Sequence, residues 1–284
     1  MERKKVTPVD IQSMKREGKK ITMLSIYDYP TALLADRAGI DSILVGDSLG
    51  MTLLGYENTI PVTMDEMIHH TKAVTRGAKS ALIVGDMPFM SFNASERDAI
   101  LNAGRFMKEG RADAVKVEGG SNVAHIVKAI FKAGMPVVGH IGLTPQAISM
   151  LGGLKVQGKD RKTAQKLMED ALILEDAGAF SIILECVPAP LSKIITERLE
   201  IPTISYGAGI YCDGQGLVSP DVLGLFDRFT PKFAKQYVNL SELIVKAFQS
   251  YRDEVLSGDF PTDQHSYHMD EEELREIREE NVDA

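Results

Sequence analysis

Two cysteines, Cys186 and Cys212, are all that a chain of 284 residues carries, and they stand far apart with no second pair. That excludes a cysteine zinc cage and a disulfide framework, and it fits a reducing, cytoplasmic setting. Basic residues are short as well: 32 lysines and arginines face 40 acids, for a formal net charge of −8. Nucleic-acid binding needs a basic footprint, so no polynucleotide partner is expected. No stretch reaches the roughly 18 apolar residues of a membrane span, and the basic opening "MERKKVTPVD" has no apolar run behind it, so neither membrane insertion nor export is expected. A dinucleotide-binding glycine turn is missing too, because "GAG" at 207–209 follows the seventh strand-like run and not the first.

What is present is an ordinary globular balance, 44% hydrophobic and 25% charged, enough for one large core. β-rich runs recur at 21–28, 42–47, 81–86, 114–120, 136–142, 181–186 and 202–209, with a weaker one at 221–226. Amphipathic helical stretches lie between them at 63–78, 95–110, 121–134 and 160–178; the last opens on Asp160 as an N-cap and closes on Gly178 just past the helix. Strands alternating with helices imply a parallel sheet with right-handed crossovers, and eight such units predict an α/β fold, the (β/α)8 TIM barrel. A doubly wound open sheet is the alternative. Residues 1–268 are expected to form a single barrel domain with an N-terminal helix. Residues 269–284 are expected to form an acidic tail, whose eight acids against two arginines account for most of the net charge. Two connections, 48–63 and 143–159, are longer than usual and would lie on one barrel face, as lids, a small subdomain or a subunit contact.

The strand tips carry the chemistry. Asp47, Asp86, Glu118, His140 and Glu185 fall at the C-terminal ends of strands two to six, the rim where such barrels place their active sites. A lone Asp after a strand is commonly an N-cap for the next helix, but Glu is a poor one. In "VKVEGG", alternation sends Val115 and Val117 to one side and Lys116 and Glu118 to the other. If the valines face the helices, the charged pair points into the barrel, where unpaired charge is costly. Carboxylates without cysteine are hard oxygen donors that favour Mg2+ or a similar divalent cation. Such an ion could take a ketone and a carboxylate oxygen from an oxo acid and stabilise its enolate, with Lys116 balancing the charge. Glu185, between Leu184 and Cys186, has the apolar setting of a general base, and a structural salt bridge is the alternative. His140, among apolar neighbours, reads as either a core group or a catalytic one. A metal on acids, a lysine and a separate glutamate together suit proton abstraction beside a carbonyl.

The motifs "YDYPTA" (27–32), "ILVGDSLGMTLLGYENTIPVTMDEM" (43–67), "GDMPFMSF" (85–92), "VKVEGG" (115–120), "GHIGLTPQ" (139–146), "GGLKVQGK" (152–159), "LECVP" (184–188) and "PKFAKQY" (231–237) occur in one order along the chain. Together they closely resemble the ketopantoate hydroxymethyltransferase (3-methyl-2-oxobutanoate hydroxymethyltransferase) family. The resemblance implies a barrel of the phosphoenolpyruvate/pyruvate superfamily type, assembled as a homo-oligomer, usually a decamer. It implies transfer of a one-carbon unit from 5,10-methylenetetrahydrofolate to 2-oxoisovalerate, giving 2-dehydropantoate for pantothenate and coenzyme A synthesis. On this resemblance the metal-associated acids are Asp47, Asp86 and Glu118; the oxo-acid contacts are Asp47, Ser48, Asp86 and Lys116; and the general base is Glu185. A related carbon-carbon lyase is a weaker alternative, since no "KKCGH" type loop occurs. A non-catalytic paralogue that binds an oxo acid is the other. Ser205 and Tyr206 stand where the family has a glycine and an aliphatic residue, and Gly216 and Pro220 where a branched apolar residue and a histidine are customary. These departures leave the core chemistry untouched and bear on folate fit or turnover.

Overall fold

The computed structural model describes residues 3–226 and 229–280. Helix α1 (Pro8–Arg16) comes first, opened by a capping box in which Thr7 and Asp10 satisfy each other's backbone donors. Then follow β1 (Ile21–Ser25), α2 (Tyr29–Arg37), β2 (Ser42–Val45), the short α3 (Leu49–Thr52), α4 (Met64–Gly77), β3 (Leu82–Asp86), α5 (Glu96–Arg105), β4 (Ala114–Glu118) and α6 (Ala124–Lys132). The second half runs β5 (Val137–Gly142), α7 (Ile148–Leu151), α8 (Arg161–Asp176), β6 (Ala179–Glu185), α9 (Ala189–Arg198), β7 (Thr203–Tyr206), β8 (Gly214–Val218) and α10 (Ser219–Leu223). All eight strands pair in parallel with their sequence neighbours, and β8 closes on β1 with Ile21 opposite Gly214 and Ser25 opposite Val218. The TIM barrel expected from the alternation is what forms.

Strands β2, β3 and β4 are buried along their whole length, on both faces. Alternation nonetheless divides the barrel strands into two cores. Ile43, Ile83, Val115, Val117, Ile182 and Leu184 pack outward against the helices. Ile21, Met23, Leu44, Leu82, Val84 and Ile183 fill the barrel interior, together with Ile11 of α1, which also borders the small cavity among them. Asp160 caps α8 through the Lys162 and Thr163 amides, and Gly178 follows that helix at φ 104°, both as expected.

One expectation fails. The weak run at 221–226 is not the eighth strand; part of it is α10, where Pro220 occupies the first turn. The strand is "GQGLV", whose two glycines hide it from any count of apolar residues. Gly214 is required by close approach, since a Cβ there would lie 2.7 Å from the Ile21 carbonyl oxygen and 2.5 Å from Ile204 Cδ1.

The chain divides into two compact units, one up to Tyr237 and one from Val238. The second contains α11 (Leu240–Ser257) and α12 (Glu271–Glu280). Helix α11 buries none of its residues and leaves Leu243, Phe248, Tyr251 and Leu256 exposed. Among the described residues, no helix is long and apolar enough to cross a membrane.

Candidate active site

The C-terminal ends of β2 to β6 converge as the strand reading requires. Val115 and Val117 lie in the outer core, so Lys116 and Glu118 turn inward, 3% and 6% exposed. Asp47 and Asp86 are equally buried, and one carboxylate oxygen of each of Asp47, Asp86 and Glu118 lies within 4.8 Å of the others. Neither aspartate caps a helix. Asp86 accepts from the Asp47 backbone N–H at 3.0 Å, and Asp47 accepts from the Gln146 side chain at 2.9 Å.

Lys116 Nζ sits among three partners: Asp86 Oδ1 at 2.9 Å, Glu118 Oε1 at 3.0 Å and His140 Nδ1 at 3.1 Å. His140 Nδ1 lies 3.1 Å from Lys116 Nζ and 3.3 Å from Glu118 Oε1, and its Nε2 stands 3.1 Å from Glu185 Oε2. His140 thus lies between the lysine-acid cluster and the glutamate. Glu185 is the most open of the group, with 19% of its side chain exposed. It ends β6, and the chain then turns sharply at Cys186, which adopts φ 48°.

Charge in this cluster is unbalanced. Burial, and then the neighbouring carboxylates, push the Asp47 and Asp86 carboxyls above their ordinary range. Burial works against Glu118 too, but Lys116 and His140 outweigh it and hold that carboxyl down to about 2. Burial likewise opposes charge on Lys116, and Asp86, Glu118 and Asp47 overcome it, raising its pKa. Three acids face a single lysine, so their full ionisation leaves a surplus of negative charge for a cation to balance. Hard oxygen donors, close spacing and surplus charge fit a small divalent cation.

Ser48 follows Asp47 at the entry to α3, yet its hydroxyl caps nothing there. It is paired instead with the Tyr27 hydroxyl at 2.8 Å. Sequence reasoning did not assign Gln146, although it lies in the quoted "GHIGLTPQ" segment. Its backbone N–H donates to Glu118 at 3.1 Å and its side-chain amide to Asp47 and the Met87 carbonyl, both at 2.9 Å. The one available signal was an amide in the long connection after β5. Asp221 was likewise given no role and lines the mouth, as does Tyr206, while Tyr27 reaches the site through Ser48. The cavity here measures about 870 Å³ and extends from the acids past Glu185 to Tyr206, Phe229, Phe233 and Tyr237.

Fold and site together define a (β/α)8 barrel with an acidic, cation-suited cluster at its C-terminal rim. Solved barrels of similar fold include phosphonopyruvate hydrolase in complex with oxalate and Mg++ (TM-score 0.60, 12% identity, 98% of this chain and 96% of that one). Another is 2,3-dimethylmalate lyase, a PEP mutase/isocitrate lyase superfamily member (TM-score 0.58, 11% identity, 92% and 93% covered). At such identities the likeness is one of fold alone. Sequence goes further: residues 5–263 match the family described as ketopantoate hydroxymethyltransferase. The 3-methyl-2-oxobutanoate hydroxymethyltransferase of Carboxydothermus hydrogenoformans is 57% identical over 273 residues, covering 96% of this chain and 99% of its own. The enzyme of that name from Moorella thermoacetica is 58% identical over 266 residues, covering 94% and 99%. The chain belongs to the ketopantoate hydroxymethyltransferase family.

Proposed function

We propose that this protein is a 3-methyl-2-oxobutanoate hydroxymethyltransferase that joins a one-carbon unit from 5,10-methylenetetrahydrofolate to C3 of 2-oxoisovalerate, giving 2-dehydropantoate. The observation that carries the reading is the unbroken contact path from the Asp47, Asp86 and Glu118 cluster through Lys116 and His140 to Glu185, within one cavity. The full-length match to hydroxymethyltransferases favours this over a carbon-carbon lyase or a non-catalytic paralogue.

Asp47, Asp86 and Glu118 would hold Mg2+ or a similar divalent ion. Such an ion supplies charge stabilisation, worth several kcal/mol, for the negative charge that grows as the C3 proton leaves. Asp47, Ser48, Asp86 and Lys116 receive the oxygen-bearing end of the oxo acid. Ser48 is oriented for this by Tyr27, and Lys116 exchanges one of its present partners for a substrate oxygen. Glu185 takes the C3 proton, and His140 holds that carboxylate in line with the cluster. The carbanion then forms one carbon-carbon bond to the folate's methylene carbon. Water supplies the hydroxyl as tetrahydrofolate departs. Gln146 fixes the Asp47 and Glu118 carboxylates against each other, so the cluster is formed before substrate enters. A five-carbon acid fills a small part of a cavity of about 870 Å³. The remainder, with Phe229, Phe233 and Tyr237 on its wall, suits a larger aromatic co-substrate.

A homo-oligomer, a decamer by resemblance, and a cytoplasmic setting belong to the same reading; the uncovered apolar residues of α11 support assembly. The deciding experiment follows C3 hydrogen exchange of 2-oxoisovalerate in deuterium oxide with and without Mg2+, then adds methylenetetrahydrofolate. Metal-dependent exchange and folate-dependent 2-dehydropantoate are expected. Absence of both from folded wild-type protein defeats the proposal.

A further inference from the structure

Tyr206 ends β7 facing inward, 6% exposed and part of the barrel's interior core. It pairs with Glu185 across β6 and β7, so it stands at the height of the proposed base. Its ring lies against the backbone of β8: a Cβ on Gly216 would be 2.1 Å from Cε2, 2.4 Å from Cζ and 2.8 Å from Cδ2. These are ring atoms of a packed side chain, which cannot swing aside as the end of a lysine could. Any other residue at 216 would have to displace them. The ring therefore fills space that a β8 side chain would otherwise occupy. Beyond it, the Tyr206 hydroxyl pairs with Ser25 Oγ of β1 at 3.1 Å in a buried contact. One side chain thus spans three neighbouring strands and is fixed at both ends. Burial raises the phenol's pKa, with the Ser25 contact opposing only in part, so the group stays neutral.

We propose that Tyr206, admitted by Gly216 and anchored by Ser25, is the residue that determines which 2-oxo acid this site accepts, by forming the wall that the substituents on C3 meet. The inference rests on the oxo-acid reading of the site and adds to it the limit on substrate size. The charged groups on β2 to β5 take the oxygen-rich end, and Glu185 on β6 must face the C3 hydrogen. The alkyl groups on C3 are left with the apolar part of the mouth, where Leu44, Ile183 and Tyr206 line the cavity. A flat ring held at its hydroxyl yields less than two aliphatic side chains would, so a longer branch is refused. In a pocket of this kind one added methylene changes kcat/KM about 10- to 200-fold.

The test compares kcat/KM for 2-oxoisovalerate and 3-methyl-2-oxopentanoate, which differ by one methylene and both carry a single C3 hydrogen, using C3 deuterium exchange with Mg2+. Wild type is expected to prefer 2-oxoisovalerate. Tyr206→Leu is expected to raise the ratio of larger to smaller acid by about tenfold or more, a change that general loosening of the fold, which lowers both rates together, would not produce. Should Tyr206→Leu fail to fold, Ser25→Ala frees the hydroxyl anchor and is expected to raise the same ratio about threefold, a step smaller than that of one whole methylene. An unchanged ratio in whichever variant is folded and active overturns this proposal alone. Failure of wild type to exchange either acid overturns the oxo-acid reading, and this proposal with it.

Discussion

The rim formed by β2, β3 and β4 and the wall formed by β7 and β8 occupy the same end of one barrel and solve opposite problems. On the rim, four buried charged residues are crowded together, and each is held by named partners: Asp86, Glu118 and His140 around Lys116, and Gln146 across Asp47 and Glu118. Order there comes from charge. On the wall, Tyr206 rests on Gly216, and among the described residues its side chain makes a single hydrogen bond, to Ser25. Order there comes from shape. The rim suits the part of a substrate that is common to all 2-oxo acids, and the wall suits the part in which they differ.

Predictions follow from pressing on each side of that contrast. The largest effect belongs to Glu185, which faces the rim through His140. Glu185→Gln keeps the size and polarity of the side chain and removes the proposed base, so C3 deuterium exchange should fall by about 10²- to 10⁴-fold while the melting temperature stays near wild type. Next is Lys116→Met, which leaves Asp86 and Glu118 buried without their cation. Urea denaturation without added metal should show a loss of about 3–5 kcal/mol; a loss under 1 kcal/mol would mean that charge does not order the rim.

On the wall, Gly216→Ala introduces one methyl group into the Tyr206 ring and should cost about 1–3 kcal/mol by overpacking. Combining it with Tyr206→Leu should recover most of that loss in the same denaturation assay, because the cost arises only from the pair. The smallest effect lies at Asp221, a buried acid of α10 on the cavity lining. Burial raises its carboxyl from 3.8 to about 6. The native state therefore keeps a proton that the unfolded chain has already released, and stability falls as pH rises from about 4 through 6. Asp221→Asn should make this slope shallower and gain about 1–2 kcal/mol at pH 7, read from denaturation curves at pH 5 and 7.

Legibility along the chain divided in the same place. The rim could be read because a strand alternates: once Val115 and Val117 face the helices, Lys116 and Glu118 have nowhere to go but inward. Asp47 and Asp86 were conspicuous as acids at the ends of apolar runs. The wall could not be read in this way. β8 is built from "GQGLV", where glycine is present because neighbouring atoms leave no room for a Cβ, and no periodicity marks that. The departures at 206 and 216 could be seen one at a time, but nothing in their spacing states that one ring fills the space of both positions. Gln146 was hidden for another reason. It reaches the acids from the long connection after β5, and the course of a loop is set by what it packs against.

Parity along each strand and the placing of polar residues at strand tips were settled by the sequence alone, because both are local: which way a side chain points depends on its neighbours in the chain. Which tips come within hydrogen-bond reach was decided only when the sheet closed. Closure sets β8 against β1, so that Ser25 meets a tyrosine from β7 across a glycine of β8. It also carries the connection after β5 over the mouth to Asp47. Such distances depend on the tilt and stagger of all eight strands together, and no single segment of the chain contains them.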